Sequence, residues 1–175
     1  MTIAMLKDDL PDYAKDIKLN LDLLTTAEST PDLSPRQVAL VAIAAAYVLK
    51  NPKLIDTLET HFIALLSLAD KEAMQVAATL MAMNNIYYRF IHEVDDPTFN
   101  TLPAKLRMNG MKNSGVNHLE FELGSLVASV LNGCGLCMAS HTRSLIKAGV
   151  TPLGIQSAIR LTAVLNATVF ALPRS

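Results

Sequence analysis

Residues 132–141 read NGCGLCMASH and hold both cysteines of the chain. Cys134 and Cys137 stand three positions apart, and His141 follows four after Cys137. On a helix, residues at i and i+3 share a face and come within disulfide reach, so the pair suits a redox dithiol. Cysteine and histidine together also suit zinc, and cysteines in an apolar helix can simply be core. Gly133 is expected to end one helix, which puts Cys134 at or just before the N-terminus of the next. Unpaired N–H groups and a partial positive charge there favour thiolate. His141 is expected one turn past Cys137, placed to exchange a proton with that sulfur. The helix-end argument lowers the pKa of Cys134, whereas the neighbouring base activates Cys137, so the reactive thiol stays open at this point.

A third partner can come from the preceding segment, HLEFELGSLVASVLNG, where Glu122 stands just before an apolar stretch. Folding that helix against the next aims a carboxylate at His141, which orients the imidazole and raises its basicity. A structural zinc needs four ligands, and Cys134, Cys137 and His141 supply three, with Glu122 or His118 as a fourth. Closed zinc sites mostly draw on two ligand pairs, and the chain has no second CxxC and no HxxxH. The dithiol reading is therefore preferred to zinc or to inert core. A thioredoxin fold requires strands around the motif, and no strand signal is visible.

The elements that must position these residues read as helices throughout. Ser34–Pro35–Arg36–Gln37 has the N-cap serine, first-turn proline and capping-box glutamine of a helix start, with the helix running to about Lys50. Asn51–Pro52 repeats the signal for a helix to about Ser67. Asp70 is expected to cap the next long helix, KEAMQVAATLMAMNNIYYRFIHE. DYAKDIKLNLDLL reads as another amphipathic helix near the start. The turn-rich 95–103 separates two halves, followed by a short helix around 104–110 and a long one from about Asn117 to Leu131. Gly149 ends the cysteine helix, and Thr151–Pro152 starts the last, which stops near Pro173. A shift of about 81 residues matches Asn51 to Asn132, Gln75 to Gln156, Leu80 to Leu161 and Asn85 to Asn166, with the caps Asp70 and Thr151 also aligned. This suggests one domain over 1–175 built of two related helical halves, about 34–94 and 115–173, with the chemistry in the second.

Bulk properties narrow the function. At 175 residues the chain buries a core without staples, so the cysteines are free for chemistry. Apolar residues are 51% and charged ones 18%, a balance that suggests extra surface buried between subunits. A net charge of −1 with no Trp leaves no footprint for nucleic acid. The longest apolar run, Val38 to Leu49, is far short of the roughly 20 residues of a membrane span, and the N-terminus has no secretory pattern. These features point to the cytoplasm, where a CxxC is more often catalytic or metal-binding than structural. His61 and His92 read as surface residues, the eight methionines as core and interface filler, and Arg143 and Lys147 as a solvated face.

Nearly end to end, the chain resembles the AhpD-like alkyl hydroperoxidases of the carboxymuconolactone decarboxylase superfamily. LPDYAKDIKLNL, MAMNNIYYRF, LRMNGMKNSG and, most specifically, Glu122 followed after eleven residues by CxxCxxxH carry the resemblance. The resemblance implies an all-α protomer assembled as a homotrimer, with no bound cofactor. It implies that Cys137 meets the peroxide and becomes a sulfenic acid, and that Cys134 closes the disulfide. His141 and Glu122 would form the proton relay. It further implies reduction by a dihydrolipoyl group on a lipoylated 2-oxoacid dehydrogenase component, fed through lipoamide dehydrogenase, and an AhpC-type peroxiredoxin as partner. One departure stands out. Some relatives carry a histidine just before the second cysteine, where this chain has Leu136, so a relay through that histidine cannot operate. Two other readings remain: a non-redox enzyme of the lactone decarboxylase type, which has no need of a dithiol, and a zinc-binding assembly protein.

Overall fold

The computed structural model describes residues 1–112 and 114–173, and among them there are helices and turns but no strand. The chain is all-α. Nine α-helices follow one another among the described residues: α1 (Ile3–Asp8), α2 (Lys15–Asn20), α3 (Pro35–Leu49), α4 (Pro52–His61), α5 (Leu68–Val94), α6 (Pro97–Thr101), α7 (His118–Leu131), α8 (Gly135–Lys147) and α9 (Pro152–Ala171).

Two helices form the centre. Val38 to Ala46 of α3 and Glu120 to Ser129 of α7 are buried without interruption, the pattern of a helix surrounded on all sides. Alpha3 packs on α7, α5, α9 and α4, while α7 packs on α3, α5, α8 and α9. Gly124 is what lets α5 and α7 approach. A Cβ built there meets Met74 Sδ at 2.7 Å and Ala77 Cβ at 3.4 Å.

An ion cluster ties three helix starts together. Arg36 of α3 donates to Asp70 of α5 through Nη2 at 2.6 Å and Nη1 at 3.0 Å, and to Glu120 of α7 through Nε at 2.8 Å. The Arg36 guanidinium beside Asp70 holds that carboxyl down at about 2, below the ordinary 3.8, with the Ser67 donors helping and burial opposing. Glu120 and Glu122 are two residues apart on α7, about 200° round the helix. Anchoring Glu120 to α3 and α5 thereby turns Glu122 toward α8.

Several boundaries differ from the sequence reading. Asp70 is not the N-cap of α5. Ser67 is, and Asp70 sits at the third helical position, its carboxylate accepting from the Ser67 backbone N–H in a reciprocal capping box. Alpha4 stops at His61 rather than Ser67, because the chain turns to bury Phe62 and Leu66 before α5 begins. The amphipathic segment near the start is broken into α2 and flanking 3-10 turns at Asp12–Ala14 and Leu21–Leu24. No helix forms around 104–110. Lys105 takes a left-handed φ of 50°, and only a 3-10 turn, Asn109–Met111, appears. There Met108 and the turn lie against α5, so tertiary contact overrides helix propensity.

The starts of α7, α8 and α9 follow those of α3, α4 and α5 at similar spacing. His118 lies 83 residues after Pro35, Gly135 83 after Pro52, and Pro152 84 after Leu68. The matched caps do not hold: Asn51 caps the start of α4, whereas Asn132 ends α7. Alpha9 is long and apolar enough to cross a membrane by length and composition, although polar residues break its apolar sequence into short runs. Here it is a core helix, with Ala158, Leu161 and Leu165 fully buried and its face set against α3 and α7.

Candidate active site

The turn from α7 to α8 carries the first thiol. Asn132 is the C-cap of α7, Gly133 adopts φ 71°, and the Gly133 and Cys134 N–H groups donate back to Val130 and Ser129 carbonyls. This is a Schellman closure that requires a left-handed residue, hence the glycine. Cys134 then serves at once as the tail of that motif and as the N-cap of α8, its sulfur accepting the Cys137 backbone N–H at 3.4 Å. A polar network braces the turn from α5. Asn85 Nδ2 donates to Ser129 Oγ at 3.0 Å, Asn132 Nδ2 donates to Asn85 Oδ1 at 3.0 Å, and Arg89 Nη1 donates to the Asn132 carbonyl at 2.7 Å.

One turn into α8, the Cys137 sulfur lies in contact with that of Cys134, the two Cα atoms being 5.3 Å apart, inside the range a disulfide spans. Cys134 is wholly buried, while Cys137 is 7% exposed and borders a cavity of about 420 Å³ between α5, α8 and the 108–111 turn. His141 borders the same cavity.

His141 and Glu122, both buried, meet at 2.9 Å between Nδ1 and Oε2. A carboxylate can only accept, so this pairing puts the proton on Nδ1 and leaves Nε2 as the nitrogen able to take another. His118, 74% exposed by side chain, has Nε2 4.0 Å from the other Glu122 oxygen. The structure therefore brings Cys134, Cys137, His141 and Glu122 together, with His118 at the rim. Among the described residues no group of three or more His, Cys, Asp or Glu side chains is arranged to hold a metal ion.

The cavity wall was not read from sequence. Met81, Met108, Met111 and Leu136 make it apolar, and Asn84, Tyr88 and Arg143 add polar groups. Three of the eight methionines thus line the site instead of serving only as core and interface filler. Two adjacent asparagines in the apolar α5 helix were the available signal, since Asn84 and Asn85 are both buried. Arg143 borders the cavity and Lys147 does not; His61 and His92 are exposed at helix ends, as expected.

A buried pair of cysteines at a helix start, with a carboxylate–imidazole pair one turn away, in an all-helical chain, is an arrangement suited to thiol-based redox chemistry. Comparison with known proteins is specific. Residues 97–171, which span all four site residues, match the carboxymuconolactone decarboxylase family. Alkyl hydroperoxide reductase AhpD of Coxiella burnetii (strain RSA 493 / Nine Mile phase I) is 48% identical over 160 residues, covering 91% of this chain and 90% of the relative. The AhpD proteins of Bradyrhizobium sp. (strain BTAi1 / ATCC BAA-1182) and Beijerinckia indica are 43% and 41% identical over 172 residues, covering 98% of this chain and 93% and 94% of theirs. The chain belongs to the AhpD-like alkyl hydroperoxidases within the carboxymuconolactone decarboxylase family.

Proposed function

We propose that the protein is an antioxidant thiol peroxidase and disulfide reductase that reduces alkyl hydroperoxides through Cys134 and Cys137. The single observation that carries this reading is that Cys137 touches Cys134 on one side and borders a cavity on the other, beside an imidazole held by a buried carboxylate. The names of the AhpD relatives support the same activity.

In this mechanism His141 takes the Cys137 proton, with Glu122 steadying the imidazolium. The thiolate attacks the outer oxygen of ROOH. An S–O bond forms, the O–O bond breaks, and its electron pair leaves with the alkoxide, which takes the proton back from His141 and departs as ROH. Cys137 is now a sulfenic acid. The Cys134 thiol attacks the Cys137 sulfur, the S–O bond breaks, and water leaves as the disulfide closes. Attack at Cys137 rather than Cys134 follows from access, because the helix-end thiol is wholly buried. Two electrons from a dihydrolipoyl group reset the pair. We place that group on a lipoylated 2-oxoacid dehydrogenase component served by lipoamide dehydrogenase, and take an AhpC-type peroxiredoxin as the partner whose disulfide the same dithiol reduces. Leu136 leaves the relay to His141 and Glu122 alone.

The reading extends to a cytoplasmic homotrimer whose halves, 34–94 and 115–173, descend from one helical unit. The similar spacing of the helix starts supports the duplication despite the unmatched caps.

The test counts free thiols before and after one equivalent of tert-butyl hydroperoxide, with metal analysis alongside. Loss of two thiols per chain supports the proposal. Retention of both points to the non-redox decarboxylase type, and one zinc per chain points to an assembly protein. Turnover with dihydrolipoamide, with and without an added peroxiredoxin, then separates direct peroxidase from relay.

A further inference from the structure

The cavity beside Cys137 holds a buried group for which the relay has no use. Asn84 of α5 is 4% exposed and borders this cavity. Its Nδ2 donates to the Met108 thioether at 3.0 Å, and its Oδ1 is buried with no hydrogen-bond partner among the described residues. Sulfur is a poor acceptor and a buried carbonyl without a donor is costly, so local stability does not account for an amide here. Leucine, of similar size, would fill the space among Met81, Met108 and Met111 without that cost. The one other buried side-chain oxygen or nitrogen without a partner among the described residues, Ser125 Oγ, does not border the cavity.

An unpartnered carbonyl is an acceptor waiting for a donor. A hydroperoxide has one donor, the O–H on its outer oxygen, and that oxygen is the atom Cys137 must reach. The rest of the molecule is alkyl, and Met81, Met108, Met111 and Leu136 give the wall an apolar part for it, beside the polar Tyr88, Ser140 and Arg143. We propose that Asn84 Oδ1 accepts the hydroperoxide O–H and so holds the outer oxygen against the Cys137 sulfur, with the alkyl group among Met81, Met108, Met111 and Leu136. This rests on the peroxidase reading above and adds the group that binds the reacting atoms. The electron and proton flow is unchanged: the S–O bond forms as the O–O bond breaks, and Asn84 neither gains nor loses a proton. A hydroperoxide meets this requirement and a dialkyl peroxide, with no O–H, does not.

The experiment compares two reagents on the fully reduced protein by stopped flow. One is tert-butyl hydroperoxide. The other is methyl methanethiosulfonate, which attacks thiolate but carries no donor. In Asn84→Leu the rate constant for thiol loss to the hydroperoxide should fall by about tenfold or more, the scale of one lost directed hydrogen bond. Modification of Cys137 by the thiosulfonate should stay within about twofold, since thiolate reactivity and access are untouched. Asn84→Ser, too short to reach the bound oxygen, should show the same split, and it decides the matter if the leucine variant does not fold. An unchanged hydroperoxide rate overturns the assignment, and so does a parallel loss with both reagents, which makes Asn84 a support for the thiol. If the unsubstituted protein loses no thiols to the hydroperoxide, the peroxidase reading falls and this assignment with it.

Discussion

At the scale of single residues, the spacing of Cys134, Cys137 and His141 was legible because one helix fixes all three. Glu122 was harder. Its partner lies on another helix, and only the apolar run behind it hinted that it turned inward. Asn84 could not be assigned at all, since nothing in a linear chain says that residue 84 borders the same space as residue 137. The roles separate by substitution. Cys137→Ser should abolish peroxide consumption, whereas Cys134→Ser should stop after one equivalent and leave a sulfenic acid that dimedone traps, read by mass spectrometry. His141→Ala and Glu122→Gln should each slow thiol oxidation by about 10²-fold, the usual contribution of a positioned base. Full peroxidase turnover in His141→Ala would refute the relay.

At the scale of elements, the caps carried the reading. Ser34, Asn51, Asn117 and Thr151 all start helices where their side chains and the following residues say they should. Segment 104–110 failed because Met108 and the Asn109–Met111 turn pack on α5, a contact no local propensity encodes. The clamp of Arg36 on Asp70 and Glu120 gives a testable acid response. The folded pKa of Asp70 lies below its unfolded value, so its contribution is present above about pH 4 and fades as pH falls toward 2, worth about 2 kcal/mol. Asp70→Asn should flatten the dependence of urea-unfolding free energy between pH 5 and pH 2. The close approach at Gly124 predicts a second effect: Gly124→Ala must displace Met74 and should cost about 1–3 kcal/mol in the same assay.

At the scale of the whole molecule, all-helical character was plain from the recurrence of caps and the lack of strand signals. The span-length apolar α9 was not, because Gln156, Arg160 and Asn166 interrupt its sequence while the fold buries the residues between them. Large apolar side chains remain open to solvent, among them Tyr13 at 82%, Phe170 at 81%, Ile63 at 72% and Leu68 at 72%. Burial of such surface between copies accords with the proposed trimer. Sedimentation equilibrium should then return roughly three times the 19.0 kDa chain mass, and a value of one chain mass counts against it.

The unequal burial of the two sulfurs has a directional consequence. In the proposed cycle, an incoming thiol would meet the joined pair from the cavity, where residue 137 and not the wholly buried residue 134 is open to it. The sulfur expelled is then always that of residue 134, whose negative charge is received by the backbone N–H already pointing at it. In the proposed cycle the resetting half would therefore run one way round, with every covalent adduct to a reductant carried on the same side chain that first met the oxidant.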